Sequence, residues 1–442
     1  MKLPFSNMMP FLLRIASFAF LPVAVIWWLG QLFMRLRIFR QADVVILEAH
    51  VVNYGITIHM ADLAEILFPG KVVVSAYIWD PHGNQNRYVS EIWRGVTVLE
   101  LRRPNLFFKI LGRNVRLPDI EIHDWALTPI TKFFGRIMLP NAEVLSHLDL
   151  FARLPIPPEC SDWIPRDSSG AISEDWKLRG LMLSTLWTHT LKTKGRRKLR
   201  LPEEYRQNLY RKLETVRGGR AARLCMLYIK KEEIGSTVRD GSPMADYVAA
   251  MRILVDKGYQ VLVTGDDTFA PADYESFDGM LVDHKIIGVE KHLFFMFAPT
   301  ESEICIGESG AGLLLPMIMG YPTLTLNIFP VGISIASTWV YPKRAVDELG
   351  NDMPFEKLFR DHPWGSWVRE NGQKENFTLF TNLSDEIADA VKDFLEYVES
   401  PYDEDPGAEI SKYIPKEAPF HAGGSRLSPA FVRRYHEQSI NS

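Results

Sequence analysis

The sequence predicts an α/β protein made of two parallel-sheet domains in tandem. Three observations carry that expectation. Short apolar strand segments alternate with helical ones at "DVVILEAH" (43–50), "TIHMADLAEILF" (57–68) and "KVVVSAY" (71–77), and again from "RLCMLYIKK" (223–231) to "GYPTLTLN" (320–327). The links between them are short, as in the strand–helix–strand units of a parallel sheet. The chain's 442 residues also exceed what one ordinary hydrophobic core organises.

The first 40 residues stand apart. From Ile15 to Met34, "IASFAFLPVAVIWWLGQLFM" holds no charged residue over 20 positions, about the length of a helix that crosses a bilayer core. Trp27 and Trp28 suit an interface, and Arg35, Arg37 and Arg40 follow. A secretory signal competes, but no small-x-small cleavage site follows the run. A helix bent at Pro22 and lying in the interface is the third possibility. Residues 1–40 are therefore expected to be a membrane anchor or membrane-dipping segment. The positive flank places the body of the protein on the cytoplasmic side as an expectation.

Residues 41–215 are expected to form the first α/β domain, with strands at 43–50, 71–77 and "VTVLEL" (96–101) around the helix at 57–68. The stretch 102–215 reads as richer in helix, with "AEVLSHLDLFARL" (142–154) one candidate and the Pro-rich 154–167 a rigid loop. The second α/β domain is expected over 216–385. It opens with the strand at 223–231. In "SPMADYVAAMRILVDKGYQVLVTGDD" (242–267), Ser242 suits an N-cap and Pro243 a first turn. Tyr247, Ala250, Met251 and Leu254 recur at helical spacing, Gly258 closes the helix, and "YQVLVTG" is the next strand. "KHLFFMFAPTESEICIGES" adds a helix and a strand, and "GESGAGLLLPMIMGYPTLTLN" a glycine turn, a helix and another strand. Beyond, 386–442 is expected to hold the rest of a helix at 384–400 and then an irregular tail.

Composition excludes several classes. With 47% hydrophobic and 24% charged residues the chain is a folded globular protein. A net charge of −4 without a long basic block gives a nucleic-acid partner no support. The basic run from Lys192 to Arg200 reads as a solvated connector. Cys160, Cys225 and Cys305 are odd in number and lack metal-ligand spacing, and the last two sit in apolar strands. A reducing, cytoplasmic setting follows. No Walker motif appears, and no G-x-G-x-x-G opens a first helix. Gly307-Glu308-Ser309-Gly310-Ala311 misses the nucleophile-elbow spelling at its last residue.

In doubly wound sheets ligands bind beyond the carboxyl ends of the strands. In the second domain those ends carry Lys230 and, further along the loop, Arg239; then Gly265 and Asp266; then Glu308, Ser309 and Gly310; then Asn327. Cations and helix N–H groups suit a diphosphate, and Glu308 or an aspartate suits a ribose or sugar hydroxyl. Each residue also has a plain structural use: a surface ion pair for Arg239, a cap for Glu308 and Ser309, a tight turn for the glycines. The conjunction, more than any one residue, points to a ligand site.

At "YVAAMRILVDKGYQVLVTGD", "FFMFAPTESEICIGESGAG" and "GYPTLTLN" the chain resembles a family of bacterial glycosyltransferases encoded with surface-polysaccharide genes. The similarity covers mainly 223–330 and extends loosely to "NYGITIHMADLAEILFPG" (53–70). It implies two Rossmann-like domains facing a cleft, the GT-B arrangement, with the sugar donor on the C-terminal domain and the acceptor on the N-terminal one. It implies that Gly265, Asp266, Glu308, Ser309, Gly310 and Asn327 line the donor pocket, with Arg239 at a basic loop position. An inverting transfer needs a base near the acceptor hydroxyl. His50, His59 and Asp80, with His82 close by, are the candidates at the strand ends of the first domain.

The function expected is transfer of a sugar from a nucleotide-diphosphate donor to a glycan or lipid-linked acceptor at the membrane, without a bound cofactor or a metal. The alternatives are another nucleotide-sugar enzyme, such as an epimerase, and a catalytically silent sugar-nucleotide-binding scaffold.

Overall fold

A computed structural model of the protein describes residues 25–26, 29–51, 54–79, 86, 88–93, 95–102, 129–130, 132–146, 149–150, 153–154, 156–158, 176–194, 199–230, 241–265, 274–361, 377–416 and 418–434. The chain forms two compact units, Met1–Leu154 and Pro155–Ser442.

Among the described residues the first unit holds a four-stranded parallel sheet of β1 (Val44–Val51), β2 (Val73–Trp79), β3 (Val96–Arg102) and β4 (Glu143–Leu145), in the order β3-β2-β1-β4. Helix α1 (Tyr54–Leu67) connects β1 to β2. Alternation along the strands puts Val45, Leu47, Val74 and Ala76 on one face, where they bury Leu32, Phe39 and Leu139. Tyr77 points to the other face and packs with Met60 of α1. Strand β4 falls inside the stretch expected as a helix, and pairs with Val44–Ile46. Three residues of strand are too few for a period of two to show, and apolar neighbours such as Val144 and Leu145 fit either element.

The second unit is built on a seven-stranded sheet. Its strands are β5 (Arg223–Ile229), β6 (Tyr259–Gly265), β7 (Leu281–Val282), β8 (Ile304–Glu308), β9 (Thr323–Ile328), β10 (Trp339–Pro342) and, after a separate antiparallel pair of β11 (Arg344–Asp347) and β12 (Phe377–Phe380), β13 (Arg426–Leu427). The order is β13-β10-β9-β8-β5-β6-β7, and every neighbouring pair is parallel. β6, β8 and β9 are buried along their whole length, so they read as continuous apolar runs.

The helices of this unit include α2 (Glu203–Val216), α3 (Met244–Asp256), α4 (Lys291–Glu301), α5 (Leu314–Met319) and α6 (Ser384–Glu399). Helix α2 is held by a half-buried ion pair: Arg206 donates through Nε and Nη2 to Glu301 of α4 at 2.7 and 2.9 Å, and the Tyr210 hydroxyl donates to the same carboxylate at 2.7 Å. Helix α3 has Tyr247, Ala250, Met251 and Leu254 on its buried side and ends at Gly258 with φ +81°, as its spacing predicts. Its cap differs. The N-cap position is Pro243, and the Ser242 hydroxyl bonds elsewhere. The segment expected as an irregular tail contributes β13 at the sheet edge and buries Ile410, Phe420, Leu427 and Phe431 in the core. A two-residue strand and short helical turns leave no periodicity to read.

Among the described residues no helix is long and apolar enough to cross a membrane. Of the uncharged stretch, residues 15–24 and 27–28 lie outside the described residues.

Candidate functional site

From β5 the chain proceeds to β6 and β7 on one side; from β8 it proceeds to β9 and β10 on the other. The order reverses between β5 and β8, and the loops leaving these adjacent strands diverge. This is a topological switch point, where doubly wound sheets leave a crevice at the carboxyl ends of their strands. The parallel register puts the ends of β5, β6, β8 and β9 on this one rim.

Below the rim lies a buried polar network centred on Glu308. Its Oε1 accepts from the Ser242 amide (2.6 Å), the Tyr247 hydroxyl (2.7 Å) and Asn327 Nδ2 (3.1 Å); its Oε2 accepts from the Lys230 amide (2.9 Å). Asn327, at φ +53°, and Asn382 exchange hydrogen bonds: each backbone amide donates to the other's side-chain oxygen, at 2.8 and 2.6 Å. Asn327 Nδ2 also donates to Ser242 Oγ, whose hydroxyl donates to the Asn382 carbonyl, both at 2.8 Å. Asn382 Nδ2 donates to the Pro342 carbonyl at 2.8 Å. Burial pushes the Glu308 carboxyl above its ordinary range, against the lowering effect of the Tyr247 hydroxyl, the two amides and the Lys230 charge. The Tyr247 hydroxyl is pushed up by burial and by the adjacent carboxylate.

Glu308 and Asn327 are thus 1% and 3% exposed. The sequence reading sets Glu308 against ligand hydroxyls and Asn327 in the lining of the donor pocket; the structure places both beneath the rim with their polar atoms bonded to protein. Both oxygens of Glu308 are occupied, and they tie together the end of β5 and the start of α3. Among the described residues, the rim presents the half-buried Lys230 and the half-buried turn Ser309–Gly312.

The glycines of that turn have a packing reason. A Cβ on Gly307 would meet the Tyr228 carbonyl oxygen at 2.4 Å, and one on Gly312 would meet Cδ2 and Cε2 of the Tyr228 ring at 2.4 Å. A Cβ on Gly310 would come within 2.6 Å of Lys230 Cε and 3.1 Å of its Nζ. The lysine side chain therefore runs along the turn, with its ammonium beside it. The helix expected after the turn is a 3₁₀ turn, Ala311–Leu313, followed by the six-residue α5, so its dipole is short. Gly265, at φ +107°, ends β6 with its Cα against the Ile229 carbonyl of β5, where a Cβ would lie 1.9 Å from the oxygen.

Arg239, Asp266, Asp80 and His82 lie outside the described residues. In the first unit His50 is the penultimate residue of β1, and His59 is half-buried on α1. Cys225 and Cys305 are free and buried, and burial pushes both thiols up, which makes them inert core residues. Sequence reasoning missed Asn382, Tyr228 and the polar role of Tyr247. Tyr247 was legible only as an apolar helix position, and Asn382 is an asparagine just before a helix, which ordinarily signals a cap.

No protein-family model matches the sequence, and no curated protein matches it. Among solved structures the chain is similar to a glycosyl transferase family 9 protein from Veillonella parvula, at 11% identity over 65% of this chain and 81% of that one, TM-score 0.35. It is similar to E. coli ADP-heptose LPS heptosyltransferase II at 12% identity over 70% and 92%, TM-score 0.36. It is also similar to the UDP-GlcNAc 2-epimerase of Neisseria meningitidis bound to UDP-GlcNAc, at 11% identity over 90% and 100%, TM-score 0.36. At these scores none of the likenesses carries an argument about this chain.

Proposed function

We propose that the protein is a glycosyltransferase that takes its sugar from a nucleotide-diphosphate donor bound at the β5/β8 switch point. The observation that carries this is the placing of the Lys230 ammonium alongside the half-buried Ser309–Gly312 backbone, at the point where the strand order reverses. A cation and close-packed backbone there suit a diphosphate, whose charge grows as the sugar departs. The Glu308 network holds the Lys230 amide and the first residues of α3 in fixed register, so it positions the site without touching the ligand. The acceptor, a glycan or a lipid-linked acceptor, is assigned to the first unit, with His50, His59 and Asp80 as the candidate bases.

The test is a melting-temperature screen of the full chain against UDP, GDP, CMP and dTDP and their sugars, since a ligand bound to the folded state must raise the melting temperature. A shift with one nucleotide is expected, and Lys230→Ala is expected to weaken that nucleotide about tenfold, the scale of one charge-assisted contact, roughly 1.4 kcal/mol. No shift with any nucleotide, or wild-type affinity in Lys230→Ala, would remove the site. Binding without sugar transfer to any acceptor would favour the silent scaffold, and interconversion of the sugar without transfer would favour an epimerase.

A further inference from the structure

Two helical stretches, residues 29–34 with 36–39 and residues 132–138, cover the same face of the first unit's sheet. Leu32 and Phe39 are buried against Val45, Leu47, Val74 and Ala76. Gly135 packs so tightly that a Cβ would meet Leu47 Cδ1 at 2.7 Å and Val144 Cγ1 at 3.1 Å. Both stretches therefore turn their opposite sides outward from one sheet face.

Those outward sides are apolar. Phe33 and Met34 are 67% and 76% exposed, and Phe133 and Ile137 are 61% and 60% exposed. Phe133 and Ile137 stand one turn apart and form a stripe, beside which Phe134 packs edge-on against Phe133 at 5.5 Å between ring centroids. Single exposed apolar residues are ordinary on a protein surface; an exposed stripe on one helix and an exposed Phe-Met pair on the other, over one sheet face, make a patch of the kind that marks an interaction site.

Charge identifies the occupant. Arg37, Arg40 and Arg136 are exposed on the same stretches. The first 42 residues contain five basic residues and no acidic one, although the whole chain is net −4; in residues 128–142, which hold no acid, Lys132 is paired with Asp149 and Arg136 is exposed. The uncharged stretch 15–34 runs directly into this surface. Exposed apolar side chains flanked by arginines suit an anionic lipid interface: the apolar groups enter the acyl boundary, and the guanidinium groups meet the phosphates. We infer that the outward sides of residues 29–39 and 132–138 form one docking surface for an anionic bilayer. The protein is then held at the bilayer by a folded face of its first unit. This surface is independent of the nucleotide-sugar site.

Hydrogen exchange of the full chain, alone and with vesicles, tests it. With phosphatidylglycerol–phosphatidylcholine vesicles, amides in 132–138 and 29–39 are expected to slow several-fold, while those of α1, on the opposite sheet face, stay unchanged. Phosphatidylcholine vesicles alone are expected to give little protection, and added salt to reduce it. Phe133→Glu with Ile137→Glu is expected to lower vesicle partitioning about tenfold or more. Both positions are exposed, so an unchanged melting temperature checks the fold, and the exchange measurement on unaltered protein stands without the variant. Co-sedimentation with unchanged exchange in 132–138 would leave the preceding segment as sole anchor and overturn the proposal. Absence of vesicle binding would also overturn it, and equal protection by neutral vesicles would overturn its anionic character.

Discussion

Replacing Glu308 by alanine is expected to lower the stability of the second unit by about 3–5 kcal/mol, because each buried donor left unsatisfied costs about 1–3 kcal/mol. The reason is the number of donors left behind. The amides of Ser242 and Lys230, the Tyr247 hydroxyl and the Asn327 side-chain amide all lose an acceptor in a site closed to water. The carboxylate also fills space, because a Cβ on Gly241 would lie 2.0 Å from Oε2. Urea denaturation of the full chain measures this directly. A group serving only to contact ligand would weaken binding and leave the midpoint in place, so a loss below about 1 kcal/mol would refute the anchoring role.

The pH dependence carries a sign. Burial raises the folded-state pKa of Glu308 above its unfolded value of about 4.3. A carboxyl with the higher pKa in the folded state contributes its full stability below the unfolded pKa, and loses it as pH rises through the folded one. Glu308→Gln has no proton to lose at this position, although its amide faces the Lys230 N–H. The stability of wild type relative to Glu308→Gln is therefore expected to fall as pH rises from about 4 toward neutrality. A relative gain over that range would mean that the four donors outweigh burial.

The second large effect is expected at the glycine turn. Gly307→Ala sets a Cβ against backbone, 2.4 Å from the Tyr228 carbonyl oxygen and 2.9 Å from its nitrogen. Two adjacent strands must separate to admit it, at a cost of about 3 kcal/mol or more. Gly312→Ala instead meets the Tyr228 ring, which turns aside at about 1–3 kcal/mol. The two sites differ in what relieves them. In a double-mutant cycle, Tyr228→Ala is expected to restore part of the loss from Gly312→Ala and none of that from Gly307→Ala. Additive costs for Gly312→Ala and Tyr228→Ala would show that the ring is not what excludes a side chain there.

Much of the fold was legible in the sequence because it is local. Apolar strands alternating with helical spacing announce parallel α/β units, and helices α3 and α6 follow from their periods and ends. The rule that ligands sit at strand ends selects the same rim that the structure builds. The glycines in "GESGAG" also announce a close approach of backbone, without saying to what. Short elements were illegible for the opposite reason: β4 and β13 have three and two residues, and only their neighbours in the sheet make them strands.

The fate of the polar residues was decided by tertiary structure alone. Glu308, read along the chain, is an acidic residue opening a turn, equally fit for a cap, an ion pair or a ligand. Its four donors come from positions 78, 66, 61 and 19 residues away. Asn327 meets Asn382 across 55 residues. Local sequence sets which backbone conformations are accessible and which faces are apolar. Whether a buried carboxylate has spare acceptor capacity depends on which distant donors reach it, and the packing of seven strands in a particular order settles that.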